Sequence, residues 1–139
     1  MGESANRRDA LVIPGDLFDE MLAHLRSDLT QERCGLLVGD DNRAVRVLPI
    51  PNALRSATRY FMDGQELADA LLAYGEPLAI YHSHLSGPPT PSAIDVAEAM
   101  YPDSYYVIVS FHVEPPSVRA FRIRDGRAAE VDLRIEQDN

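Results

Sequence analysis

The chain has 139 residues, of which 45% are apolar, and 22 acidic residues against 13 Lys and Arg give a formal net charge of −9. This length is typical of one domain with its own core, so we predict a single domain over residues 1–139, and the negative charge disfavours a nucleic-acid partner. The single cysteine excludes an internal disulfide, and the chain shows neither a membrane-length apolar run nor a signal-peptide pattern, so we expect a cytoplasmic protein without membrane contact.

The first half of the chain alternates predicted strands and helices. A short strand over residues 11–14 precedes a helix over 15–29, whose apolar residues recur at helical spacing. A hairpin follows, with strands over 34–39 and 43–50 joined by a turn of Asp and Asn residues. A further short strand is predicted over residues 58–62.

The second half continues the alternation. Asp63 can cap a helix that runs to about residue 74, for which we predict a buried stripe of Leu67, Leu71 and Leu72. A strongly apolar strand over 77–82 and a short helix over 92–100 come next.

The last strands complete a mixed sheet. They are predicted over residues 105–111, 118–124 and 127–135, and the last two are joined by Asp125-Gly126, a good hairpin turn. The sum is about three helices around a mixed sheet, one α/β or α+β domain. The arginines of these strands and of the first hairpin are interpreted as a solvated strand face, and His24 and His112 as solvated side chains.

His82 and His84 are the most informative residues of the chain. Residues i and i+2 of a strand point to the same side, so both rings project together while Ser83 points away. The loop over 85–91 contains one glycine and three prolines and can turn the chain into the next helix, where Asp95 can face back. Two imidazoles and one carboxylate leave an open coordination position, which suits a catalytic zinc ion.

A simpler interpretation stays open on spacing alone. Ser92 and Asp95 match a helix capping box, and histidines at a strand end are often polar surface residues. A metal hydrolase also needs a base, and Glu32 is a candidate because it precedes an apolar strand, where a carboxylate can have a raised pKa. A solvated loop carboxylate explains Glu32 equally well.

The combined pattern resembles the JAMM (MPN+) metalloprotease family. It consists of Glu32 ahead of the strand Cys34-Gly-Leu-Leu-Val-Gly39, then His82-Ser-His84, seven residues, and Ser92-Ala-Ile-Asp95. The resemblance spans about residues 32–110. One departure is Leu85, which stands where many family members have proline.

The resemblance implies the roles of five residues. His82, His84 and Asp95 would bind zinc (Zn²⁺), Glu32 would hold and deprotonate the metal-bound water, and Ser92 would donate a hydrogen bond to the oxyanion. It also implies a cytidine-deaminase-like α/β fold. Base deamination is disfavoured because the Pro-Cys-x-x-Cys signature of deaminases is missing.

The short prokaryotic members of the family suggest the substrate. They imply a zinc metallopeptidase that hydrolyses a bond at the C-terminal tail of a ubiquitin-like or sulfur-carrier protein. Three alternatives remain: a non-catalytic MPN binding module, a RadC-like JAMM protein linked to DNA repair, and a zinc hydrolase of another substrate class.

Overall fold

The computed structural model describes residues 9–137 and contains three helices and seven strands. In chain order the elements are β1 (Ala10–Pro14), α1 (Gly15–Arg26), β2 (Cys34–Asp40), β3 (Arg43–Ile50), α2 (Gly64–Tyr74), β4 (Ala79–His84), α3 (Ala93–Glu98), β5 (Tyr105–Ser110), β6 (Ser117–Arg124) and β7 (Arg127–Glu136). The predicted α/β architecture with a mixed sheet and three helices is confirmed.

The sheet closes into a barrel in the order β1-β3-β2-β4-β5-β6-β7. Four of the seven neighbouring pairs are antiparallel, and three are parallel: β1 with β3, β1 with β7 and β4 with β5. The β1–β7 pairing extends over five residue pairs, whereas β1 meets β3 only at Val12 and Arg43. The sequence did not predict closure, because strand pairing between the two ends of a chain leaves no local pattern.

Two buried clusters lie on opposite sides of β4, because successive side chains of a strand alternate. Ala79 and Tyr81 belong to the cluster that includes residues of β1 and α1. Ile80 belongs to the other cluster, against which Leu67 of α2 and Val96 of α3 pack. His82 and His84 continue the side of Ile80, so the strand directs both rings toward α3.

The helix α1 is tied to the barrel through a partly buried polar contact. The hydroxyl of Tyr81, which is fully buried, lies 2.7 Å from His24 Nδ1, and Arg33 Nε donates to His24 Nε2 at 3.3 Å. Burial and the nearby guanidinium lower the pKa of His24 to about 4. The predicted solvation of His24 is therefore wrong, because its ring is half-buried and bonded on both nitrogens.

Some element predictions also need correction. The predicted strand over 58–62 is a loop closed by an isolated bridge between Asn52 and Met62. Leu72, placed in the buried stripe of α2, is 88% exposed, and Ala70 is buried instead. Within residues 9–137, no helix is both long enough and apolar enough to cross a membrane.

Candidate metal and catalytic site

Both histidines lie inside β4 rather than beyond its end. His82 and His84 are 1% and 8% exposed, which is low for polar side chains. Ser83 points to the other side, where its hydroxyl accepts the Arg33 N–H at 2.9 Å and its own N–H donates to the Arg33 carbonyl at 3.0 Å. The predicted common orientation of the two rings is thus found in the structure.

Asp95 reaches the histidines from the first turn of α3. Its Oδ2 lies 3.3 Å from His82 Nε2 and 3.1 Å from His84 Nε2. The same oxygen accepts the Ser92 N–H at 2.9 Å, and the Asp95 N–H donates to Ser92 Oγ at 3.0 Å. The capping box and the ligand cluster are therefore both present, and the cap is what orients the carboxylate.

The three candidate ligand atoms have the spacing of a metal site. The two Nε2 atoms are 3.1 Å apart, which places all three edges of the triangle between 3.1 and 3.3 Å. Zinc–nitrogen bonds of 2.0–2.1 Å in a tetrahedron give edges of about 3.3 Å. The spacing of His82, His84 and Asp95 therefore fits one metal ion.

The tautomer of His84 is compatible with a cation at this position. His84 Nδ1 lies 2.7 Å from the Pro88 carbonyl, which can only accept, so Nδ1 carries a proton. In the neutral ring Nε2 then carries a lone pair, which faces His82 and the Asp95 carboxylate. A proton on Nε2 can relieve this repulsion, and a divalent cation relieves it equally well.

The pKa shifts of the cluster agree with a positive charge near His84 Nε2. Burial lowers the pKa of His82, whereas for His84 the Asp95 carboxylate and the Pro88 carbonyl outweigh burial and raise its pKa. Burial opposes ionisation of Asp95, but hydrogen bonds with both imidazoles hold its pKa well below the ordinary value. The site therefore combines a fixed negative charge with two buried imidazoles.

Glu32 lies close enough for its charge to act on this cluster. It is 5% exposed, and burial raises its pKa to about 7, with His84 lowering and Asp95 raising it. A solvated loop carboxylate would not have this burial, so that alternative for Glu32 is wrong. A carboxylate with this pKa can both accept and release a proton near neutral pH.

An apolar cavity of about 440 Å³ adjoins the cluster. Asp95 lies at its wall, and Tyr60, another wall residue, stacks on the His82 ring at 4.4 Å between centroids. His82 Nδ1 is buried, and among the described residues it has no hydrogen-bond partner. The aromatic lining residues are Tyr60, Phe61, Tyr101 and Tyr106.

The structure brings all five predicted residues into one region. Sequence reasoning missed the buried amide of Asn52. The pair Pro51-Asn52 directly after β3 is a turn signal that could have drawn attention to it. Cys34 is buried, pairs with His82 across β2 and β4, and has a pKa raised by burial to about 12. It is a core residue rather than a nucleophile.

Comparison with known proteins identifies the family. The model for prokaryotic homologs of the JAB domain matches residues 14–124. The CysO-cysteine peptidase of Mycobacterium tuberculosis is 38% identical over 133 residues, covering 90% of each chain. The probable TtuB-protein conjugate cleaving protease of Thermus thermophilus is 36% identical over 122 residues, covering 84% of this chain and 78% of that protein. The chain belongs to the family of prokaryotic homologs of the JAB domain, which confirms the resemblance found from the motif.

Solved structures show the same fold. A protein of Desulfitobacterium hafniense superimposes with a TM-score of 0.81 at 29% identity, over 92% of this chain and 94% of that one. A JAB1/MPN domain protein of Archaeoglobus fulgidus has a TM-score of 0.60 at 20% identity, over 91% of this chain and all of that one.

Proposed function

We propose that the protein is a zinc-dependent metallopeptidase that cleaves at the C-terminal tail of a ubiquitin-like or sulfur-carrier protein. The observation that carries the proposal is the convergence of His82, His84 and Asp95 on one point, with buried Glu32 beside them. The two relatives are named as a CysO-cysteine peptidase and a probable TtuB-protein conjugate cleaving protease. Their similarity extends over most of the chain, which supports the same class of substrate here.

Each of the proposed catalytic residues has a defined task. Zinc, when bound by His82, His84 and Asp95, would supply Lewis-acid polarisation of the scissile carbonyl and of a water molecule. Glu32 takes the proton of that water and returns it to the leaving amine, a double role that its pKa of about 7 favours.

Ser92 is proposed as the donor to the oxyanion. Its Oγ accepts the Asp95 N–H at 3.0 Å, which leaves the hydroxyl proton available to donate. A hydrogen bond formed as charge develops on the carbonyl oxygen lowers the barrier of the reaction rather than strengthening ground-state binding.

The cavity beside Asp95 suits a polypeptide tail. Its volume of about 440 Å³ and its aromatic lining accommodate apolar side chains next to the cluster. We propose that the tail lies along this cavity with its scissile bond at the His82–His84–Asp95 cluster.

The proposal is tested by metal analysis and a cleavage assay. Purified wild type and Glu32→Gln are compared for zinc content and for cleavage of Gly-Gly-ended carrier proteins, encoded in the same genome, fused at their C-terminus to cysteine. We expect equal zinc in both and a loss of at least 100-fold in kcat for Glu32→Gln. Glu130→Gln is the matched control, because Glu130 is an exposed strand residue paired only at 3.8 Å with Arg119; it should retain full activity.

Other outcomes would favour the alternatives. Equal activity of Glu32→Gln and wild type would refute Glu32 as the base. Metal-free protein that binds a carrier without cleaving it would support the binding module. The RadC-like alternative requires salt-dependent DNA binding, which the structure does not favour, because arginines of the strands already form ion pairs: Arg43, Arg119, Arg122 and Arg124.

A further inference from the structure

The side chain of Asn52 is a buried polar group that the proposed chemistry does not use. It follows β3 by two residues and is 7% exposed. Its Nδ2 donates to the Glu32 carbonyl at 2.9 Å and to the Arg59 carbonyl at 3.0 Å. Its Oδ1 accepts the N–H groups of Leu54 and Phe61, each at 3.0 Å. Two donors and two acceptors use the full capacity of a carboxamide.

The backbone of Glu32 is held by this part of the chain rather than by the sheet. Glu32 precedes β2, which begins at Cys34, and its two backbone groups bond elsewhere. The Glu32 N–H donates to the Ser56 carbonyl at 2.8 Å, and the Glu32 carbonyl accepts from Asn52. Both partners belong to residues 52–61, so the position of Glu32 depends on how that segment is folded.

The 53–61 loop, defined as residues 53 to 61, also contacts a candidate metal ligand. Its two ends are joined by the Ala53 N–H, which donates to the Phe61 carbonyl at 2.8 Å. Tyr60 of this loop stacks on the His82 ring, and Tyr60 and Phe61 line the cavity. The amide of Asn52 therefore contacts both the Glu32 segment and the loop that covers a candidate metal ligand.

We propose that Asn52 is a positioning residue that fixes Glu32 relative to the metal cluster and the cavity. The inference rests on the proposed hydrolytic function of the same site. Asn52 does not touch the reacting atoms; it acts by holding the Glu32 backbone and the 53–61 loop in one arrangement. A displacement of a catalytic group by about 1 Å costs about 100-fold in rate, so loss of this anchor lowers kcat more than it alters substrate affinity.

Asn52→Asp is the most informative variant because it is isosteric. It keeps an acceptor for the N–H groups of Leu54 and Phe61 but removes both donors, so that a carboxylate oxygen faces the carbonyls of Glu32 and Arg59. Asn42→Asp is the matched control, since Asn42 Nδ2 also donates to a backbone carbonyl, that of Ala10 at 2.8 Å, in a different part of the fold.

Amide hydrogen exchange of the wild-type protein tests the anchor without any activity assay. We expect the amides of Glu32, Leu54 and Phe61 to exchange with one common protection factor, distinct from that of Leu36 in β2. In Asn52→Asp their protection should fall at least ten-fold while that of Leu36 stays unchanged. A Glu32 amide that exchanges together with Leu36 would overturn the proposal even if the variant failed to fold.

Kinetics with the carrier–cysteine fusion supply the second readout. For Asn52→Asp we expect kcat to fall 10- to 100-fold, with KM within three-fold and zinc content per protein unchanged. Asn42→Asp should keep kcat within two-fold at the same temperature. A kcat within two-fold of wild type in folded Asn52→Asp, or an equal loss in Asn42→Asp, overturns the positioning role. If wild type cleaves nothing, the proposed function fails, whereas the exchange result still decides whether Asn52 anchors Glu32.

Discussion

Gly35 and Tyr81 face each other across β2 and β4 with no room for a methyl group between them. An ideal Cβ on Gly35 would lie 2.3 Å from the Tyr81 hydroxyl oxygen and 2.4 and 2.5 Å from two ring carbons. Carbon atoms pack at about 3.5 Å, so Gly35→Ala must displace the ring by about 1 Å. The ring is fully buried and its hydroxyl is bonded to His24, so it cannot turn into solvent.

The expected cost of Gly35→Ala follows from these contacts. Forcing an extra methyl group into a packed core costs about 1–3 kcal/mol, and breaking the buried hydrogen bond to His24 costs about 1–3 kcal/mol. We expect a loss of about 3 kcal/mol in the free energy of unfolding. For a domain of this length, that loss lowers Tm by about 10 °C.

Thermal unfolding followed by circular dichroism measures this effect. Gly64→Ala is the matched control, because a Cβ at Gly64, the first residue of α2, meets no atom within 4 Å. Its Tm should change by no more than about 2 °C, since alanine is the better helix former. Gly35→Ala should cost much less in a Tyr81→Leu background, where the ring is gone. A decrease in Tm of less than 3 °C for Gly35→Ala alone would refute the steric reasoning.

Three further predictions concern His24, Asp9 and Ser92. The pKa of His24 is about 4 in the folded protein and about 6.5 in the unfolded chain. Its contribution to the free energy of unfolding is therefore complete above pH 6.5 and is lost as the pH falls toward 4. Urea unfolding should show a loss of about 1–2 kcal/mol over this range, allowing for partial exposure, and this loss should disappear in His24→Gln but not in His112→Gln. Asp9→Ala should lower the free energy of unfolding at pH 7 by about 1 kcal/mol, because the pKa of Asp9 is held down mainly by the hydrogen bond from Arg122. Asp103→Ala should change the free energy of unfolding by less than about 0.5 kcal/mol, because its ion pair with Arg124 joins exposed side chains at 3.7 Å. Ser92→Ala should cost about 1 kcal/mol through the lost helix cap and lower kcat at least ten-fold beyond the unfolded fraction; an unchanged kcat would contradict its role as oxyanion donor.

The candidate metal ligands were easier to predict from the sequence than the contacts that hold Glu32 in place. His82, His84 and Asp95 are linked by local rules, namely strand alternation and the first turn of a capped helix, and the structure follows both. The burial of Glu32 depends on residues 52–61, which come from a separate part of the chain. No periodicity in the sequence indicates such a contact, and the strand predicted over 58–62 did not suggest it.

The fold shows the same division. Short apolar runs bounded by turn signals predicted most strands, since each strand carries its own pattern. Barrel closure depends on β1 meeting β7 from the opposite end of the chain, and Leu72 shows that helical spacing alone does not fix which face is covered. Such features depend on the packing of distant elements.

The unequal pairing of β1 leaves a consequence for self-association. Because β1 meets β3 only at Val12 and Arg43, the described residues leave the rest of that side of β3 without a strand partner. An open strand edge can recruit a strand of another chain and start aggregation. Two exposed residues of this part of β3 oppose such pairing: the charge of Arg46 repels a like strand, and Pro49 has no N–H to donate. These two residues protect this part of β3, so Arg46→Val combined with Pro49→Val should make the protein prone to aggregation.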